Sequence, residues 1–372
     1  MQPKIVATLI SLQLFAVPVV FGAECTHLWK KSLDIAPATP KSMSGDTYAA
    51  YGLIGFYDEP NLRLELKGEF PHGRFMSLQS YRGTRKRTVA SLFDKDLVAD
   101  PGSVNPFIPG ADLGATSRSY TIDVVKNRDD AASPNALRLD SRTNIHSLFF
   151  RYYVPSSGFV PAPADLPRIF AFDTRNGAPR PCPRYIDTQL DPGPITMILN
   201  FVKKKSVLEF ERNKSFDNGV NAAVPGYVTV LSKIDHGDVS VIRFKAPTFT
   251  NTQPGAGPFP ESGQVRYWSF CTQNLKESET LTCLPDYLAT PDARGWVTVV
   301  VGKGAAVQER ALREGHNFLE DRRLPNQKVM GYFYRNLLPG SSFAPYEGDY
   351  LPSGVVCPSE DYLKGECGIS SL

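Results

Sequence analysis

The residues best suited to chemistry in this chain are arginines set among aromatic side chains. Arg74 precedes Phe75, Arg151 lies between Phe150 and Tyr152, Arg266 precedes Tyr267 and Trp268, and Arg335 follows Tyr334. A guanidinium offers a planar fork of donors and a phenol offers one more, while aromatic faces hold apolar carbon. A pocket with such a wall suits a ligand that is apolar but carries polarisable oxygen. On this reading Arg74, Arg266 and Tyr81 are the candidate catalytic donors. Trp268, Tyr152, Tyr334 and His72 are the candidate substrate-binding residues, His72 because His72-Gly73-Arg74 opens one of the strand-like segments. A structural reading competes with it. Neighbours on a strand point to opposite faces, so an arginine can lie outside while the rings beside it form a core.

Other chemistry finds little support. There is no G-x-S-x-G elbow, no H-E-x-x-H, no P-loop and no G-x-G-x-x-G after a strand. The five histidines (His27, His72, His146, His236, His316) are dispersed, without the spacing of a metal facial triad. The carboxylate pairs Asp94/Asp96, Asp129/Asp130 and Glu320/Asp321 sit in polar stretches where solvation accounts for them. The expectation is no metal and no cofactor.

The elements that must carry these residues are short strands. Thirty-one prolines and twenty-nine glycines punctuate the chain. Between them Leu62-Arg63-Leu64-Glu65-Leu66-Lys67 alternates strictly, as a half-buried strand does. Further strand-like segments cover 74–81, 120–125, 147–154, 195–201, 227–234, 239–244, 265–271, 296–301 and 329–335, and only 305–318 reads as helix. The fold class is all-β, an antiparallel sandwich or barrel with little helix. A faint repeat runs through it. Arg74-Phe75-Met76-Ser77 is echoed by Arg266-Tyr267-Trp268-Ser269, and Phe149-Phe150-Arg151-Tyr152-Tyr153-Val154-Pro155 by Phe333-Tyr334-Arg335-Asn336-Leu337-Leu338-Pro339. The offsets are 192 and 184 residues, in the same order. Two related β-modules are expected, 23–175 and 226–372. A Pro-rich connector containing a strand (176–225) joins them, and a disulfide-bonded tail closes the second. A cleft between modules packed about a pseudo-two-fold axis is the default ligand site.

Residues 1–22 read as a signal peptide, with Lys4 in the n-region, an apolar run from Ile5 to Val20, and small residues Val20 and Gly22 before the cut. The run is too short to span a bilayer, and Pro18 interrupts it. Six cysteines follow, an even number in an exported chain, which points to three disulfides. Six cysteines permit 15 pairings, among which the sequence does not choose; the short local loops favour Cys271–Cys283 and Cys357–Cys367, which would leave Cys25–Cys182. Asn213-Lys214-Ser215 is a glycosylation sequon, so Asn213 is the candidate acceptor. A net charge of +3 and 21% charged residues argue neither for nucleic acid nor for an anionic membrane as partner. The basic clusters 82–87 and 203–205 read as solvated loops, since no aromatic interleaving accompanies them.

Three stretches, residues 74–81, 100–107 and 265–271, resemble a broad set of secreted microbial proteins, most without an assigned activity. In size, signal peptide, paired cysteines and lack of a hydrolase motif the chain is also similar to fungal hetero-Diels–Alderases of tropolone–sesquiterpenoid biosynthesis. No catalytic residue carries over from that group. What it implies is a cofactor-independent pericyclase joining a quinone methide to a terpene. Orientation alone supplies about 7–11 kcal/mol in the best intramolecular models, and donors aimed at the quinone methide oxygen add to it. The alternative is an extracellular module that binds carbohydrate or an apolar ligand without catalysis, because sandwiches host many functions.

Overall fold

The computed structural model describes residues 23–29, 31–33, 45–83, 88–154, 166–186, 199, 201–213, 223–224, 227–252, 259–261, 263–277 and 279–368. The signal-peptide segment 1–22 and most of the strand-like segment 195–201 lie outside them, as does the side chain of Asn213 with the rest of its sequon.

The chain is all-β and forms two sandwiches. In the first, a five-stranded sheet runs β1 (Lys31–Leu33), β2 (Ala49–Tyr57), β8 (Ile145–Tyr153), β4 (Phe75–Arg82), β5 (Thr88–Phe93). It faces a four-stranded sheet of β7 (Ala136–Arg138), β6 (Ser119–Val125), β3 (Leu62–Glu69) and β9 (Arg168–Asp173). The second sandwich repeats this order strand for strand. Its first sheet is β11 (Glu211–Asn213), β12 (Tyr227–Lys233), β18 (Val329–Leu337), β14 (Tyr267–Asn274), β15 (Glu279–Pro285). Its second is β17 (Asn317–Glu320), β16 (Trp296–Gly302), β13 (Asp238–Lys245), β19 (Ser353–Pro358), with β10 (Val207–Glu209) added at the edge. Even the exceptions recur, for β6–β7 and β16–β17 are both parallel pairs in otherwise antiparallel sheets. Val154 and Leu338, each just past the end of its strand, both take positive φ (48° and 44°).

Alternation explains the outer strands. In β3 Leu62, Leu64 and Leu66 are buried while Lys67 is exposed. Arg63 departs from the pattern, because its guanidinium bonds Asp123 at 2.8 Å and is shielded there. The expected helix over 305–318 ends earlier, as α1 (Ala305–Arg313). Gly315 at φ +74° turns the chain, and 317–320 joins β16 as the strand β17. In β4, β8, β14 and β18 almost every residue is buried, which requires cover on both faces of the sheet. Met76, Leu78, Phe150 and Tyr152 face the first sandwich's own core, and Trp268, Phe270, Tyr332 and Tyr334 face the second's. The opposite faces meet. Tyr51, Phe75, Tyr81, Phe149 and Tyr153 pack against Tyr227, Tyr267, Cys271, Leu275 and Phe333. The region between the repeated units, expected as an open cleft, is therefore a filled layer of side chains where these strands meet.

Three disulfides hold this frame: Cys25–Cys182, Cys271–Cys283 and Cys357–Cys367. The middle one joins directly opposed residues of β14 and β15.

His146 in β8 is buried against Phe56, and burial pushes its imidazole down to about 4. The equivalent position in β18 is Met330. A histidine whose folded pKa lies below its unfolded value near 6.5 contributes fully above that pH, and the contribution is lost as pH falls towards 4. His146→Met is thus expected to raise stability at pH 4.5 by about 2–3 kcal/mol more than at pH 7.5. Urea unfolding at the two pH values checks it; an equal shift at both would show that the ring does not titrate between the two states.

Candidate functional site

The residues singled out by their types are scattered by the fold. Arg74 and Arg266 immediately precede β4 and β14, and each crosses to the other sandwich. Arg74 Nη1 donates to Asp286 Oδ1 with both side chains fully buried. Arg266 Nη1 lies 3.4 Å from Asp94 Oδ1 and donates to the Arg74 carbonyl at 3.2 Å. The carboxylates are placed by the repeat as well. Asp94 accepts the backbone N–H of Met76 at 2.7 Å, and Asp286 that of Trp268 at 3.1 Å. Burial raises both carboxyls to about 6 against the opposing pull of their arginines. Arg74 also lies over the rings of Phe249 (4.9 Å) and Tyr287 (5.5 Å), and Arg266 over Phe259 (4.8 Å).

Tyr81 is near the far end of β4, roughly 20 Å from Arg74 at the rise of a strand. Its hydroxyl donates to Gln79 and accepts from Arg151, each at 2.8 Å, within the layer between the sandwiches. Tyr152 belongs to the first core, where its hydroxyl donates to the His72 carbonyl. Trp268 and Tyr334 belong to the second core, and the indole donates to Pro247 O at 3.2 Å. Of the seven, only His72 is exposed, beside the guanidinium of Arg118. The structure thus brings Arg74 and Arg266 together and separates Tyr81, Tyr152, Trp268, Tyr334 and His72 from them. Asp46, Cys271 and Cys283 also cluster, but both sulfurs are in a disulfide and Asp46 accepts from Tyr267 (3.0 Å) and Ser269 (2.6 Å). No thiolate is left there for a metal.

A different site opens at one end of the first sandwich. β6 ends at Val125, and Lys126, Asn127 and a 3-10 turn over Arg128–Asp130 lead back into the parallel strand β7. The hairpin of β4 and β5 comes alongside, tied by the Ser80 hydroxyl donating to Arg138 O at 2.5 Å. Together they line a cavity of about 570 Å³ with Arg82, Lys126, Arg128, Arg138 and Arg142, five cations to one carboxylate, Asp140. Asp140 is buried and grips Arg142 with two bonds of 3.0 Å, while Arg82 Nε lies 3.4 Å away. These bonds hold its carboxyl far below the usual range, so it is ionised near neutral pH and has no proton to give. Lys126 reaches Asp58 at 2.5 Å. Arg128 and Arg138 are exposed and have no carboxylate within ion-pair reach among the described residues. Among the described residues no histidine, cysteine or tyrosine lines the cavity. Such a wall can hold and orient an anion.

The repeat sharpens the point. Asp140-Ser141-Arg142 recurs as Asp321-Arg322-Arg323, with the same local bonds from backbone and guanidinium to the aspartate. Arg323 turns inward, fully buried, and donates to Ile234 O at 2.8 Å and Lys328 O at 3.1 Å. Arg142 turns outward, with 67% of its side chain exposed, and lines the cavity. One copy of the device staples a loop, and the other presents a charge. The sequence reading missed this site because its cations come from three separate stretches, and 82–87 alone reads as a solvated loop. Counting from the strands would have shown it: Arg82 ends β4 where Asn274 ends β14, and Arg142 stands three residues before β8 where Asn326 stands three before β18, the Asp-x-Arg motif lying three residues further from the strand in the second unit.

No family model matches the chain, and no curated protein does. Among solved structures it is similar to an uncharacterised protein from Burkholderia cenocepacia at 14% identity, with 89% of this chain and 83% of that one covered and a TM-score of 0.56. A Vibrio parahaemolyticus protein matches at 11% identity over 87% and 92% of the two chains with a TM-score of 0.44, too distant to bear on the fold. The likeness to the first establishes a shared fold and nothing about activity. Among the described residues no helix is long and apolar enough to cross a membrane. Three disulfides fit an oxidising, extracellular setting.

Proposed function

We propose that this protein is an exported binding protein, without catalysis of its own, for ligands that carry carboxylate, sulfate or phosphate groups. The observation that carries the reading is the cavity of about 570 Å³ in which five cations surround one carboxylate. Two cations about 6 Å apart repel by roughly 1–3 kcal/mol at the effective dielectric of a wetted surface. An anion among them removes that repulsion and gains charge-assisted hydrogen bonds of about 1.5–3 kcal/mol each. Arg138 and Arg142 supply the forks suited to a planar or tetrahedral oxyanion. The apolar N-terminal stretch and the three disulfides support export.

A cycloaddition site built on Arg74, Arg266 and Tyr81 would need their donors free to face a ligand. The two arginines are committed to buried carboxylates and the tyrosine to Gln79 and Arg151, so we do not propose that activity. The test is isothermal titration with a sulfated disaccharide, a galacturonate trimer and neutral maltotriose. Saturable binding of the two acidic sugars is expected, weakened at least about 10-fold by Arg138→Ala/Arg142→Ala. It should be largely lost near 1 M salt, where charges are screened beyond about 3 Å. Equal binding of maltotriose, or acidic-sugar binding indifferent to both the variant and the salt, would overturn the reading.

A further inference from the structure

We infer that the second sandwich carries a second, weaker oxyanion site at the position equivalent to the first. Its cavity of about 350 Å³ is lined by Lys233, Lys276 and Lys328, with Asn274, Asn326 and Gln327 between them, and among the described residues no carboxylate contributes to its wall. Its place in the fold is fixed by the repeat. Asn274 ends β14 as Arg82 ends β4, and Asn326 stands three residues before β18 as Arg142 stands three before β8. The two cavities therefore occupy corresponding ends of the two sandwiches. Each is bounded by the end of the hairpin strand and by the loop entering the central strand.

The two sites differ in chemistry where the sequences differ. The first sandwich offers four arginines and a lysine, and the second three lysines with neutral amides. Lysine is a compact, strongly hydrated point charge, whereas arginine engages an oxyanion through two parallel bonds. Where Arg142 lines the first cavity, Asn326 lines this one, and Arg323 of the second unit's Asp-x-Arg motif is buried away from it. Amide groups of Asn and Gln beside a lysine still suit sulfate or carboxylate oxygens. Among the described residues no aromatic side chain lines either cavity, so none offers a base or a neutral sugar ring a face to stack on. The ligand class is thus the carboxylate-, sulfate- or phosphate-bearing one proposed for the first site, and this inference rests on that reading.

Titration of the full chain with the sulfated disaccharide separates the two claims. Wild type should bind two equivalents, the second about 10-fold or more weaker than the first. Arg138→Ala/Arg142→Ala should lose the tight phase and keep the weak one. Lys276→Ala/Lys328→Ala, at exposed positions and with its fold checked by circular dichroism, should do the reverse. One equivalent in wild type, unaffected by the lysine variant, would overturn the second site and leave the first standing. A single weak phase abolished by the lysine variant alone would overturn the first and leave the second. No binding in any form would overturn both.

Discussion

Asp286→Ala is expected to cost about 3–5 kcal/mol of stability, because it strands the fully buried Arg74 guanidinium without its counter-charge. The backbone N–H of Trp268 loses its acceptor in the same step. Removing both charges should be far milder. Arg74→Met/Asp286→Leu keeps volume, drops two desolvated charges and leaves one amide unpaired, so most of the loss is recovered. Asp94→Ala should cost less than Asp286→Ala, since Arg266 approaches Asp94 only to 3.4 Å and also bonds the Arg74 carbonyl. The pH dependence has a definite sign. Both carboxyls are raised to about 6, so the native state binds more protons than the unfolded chain between about pH 4 and 6. Their contribution is largest below pH 4 and falls as pH rises through 6. Urea unfolding of the single and double variants at pH 5 and 8 measures all of this. If Asp286→Ala and the double replacement cost the same, the pair is not the unit described.

The largest effect of a covalent change is expected at Cys25–Cys182. The bridge closes a separation of 157 residues, against 12 and 10 for the other two. Chain-entropy arguments give about 5 kcal/mol for a loop of that length and about 3 kcal/mol for the short ones. The bond also docks the N-terminal segment, whose Cys25 N–H donates to Ile169 O of β9 at 2.7 Å. Cys25→Ser/Cys182→Ser should therefore lower the urea midpoint more than Cys357→Ser/Cys367→Ser. The opposite order would mean that local geometry outweighs loop length in this chain.

Much of the fold is legible in the sequence, and for a physical reason. The alternation of Leu62, Leu64 and Leu66 with charged residues records a sheet with one wet face, and β3 has one. The echo of Arg74-Phe75-Met76-Ser77 in Arg266-Tyr267-Trp268-Ser269 records a strand order used twice. The three disulfides follow from counting cysteines and preferring short loops. The site is another matter. Arginine beside aromatic rings has the same sequence appearance whether it faces a ligand or a buried carboxylate. Here the carboxylate partners, Asp94 and Asp286, lie 172 and 212 residues from their arginines. Strands buried on both faces lose the alternation that would have told inside from outside. The cationic cavity draws on residues 82, 126–128 and 138–142, which converge only once β6, β7 and the hairpin are in place.

The crossed pairing of Arg74 with Asp286 and Arg266 with Asp94 has a consequence for assembly. Each half of the chain carries one grip and one socket, so the contact is pseudo-isologous: the arginine of each half meets a carboxylate of the other. A head-to-tail arrangement would leave an unfilled grip at one end and an unfilled socket at the other, inviting further copies to add. This arrangement saturates at two units, and a single polypeptide already contains both.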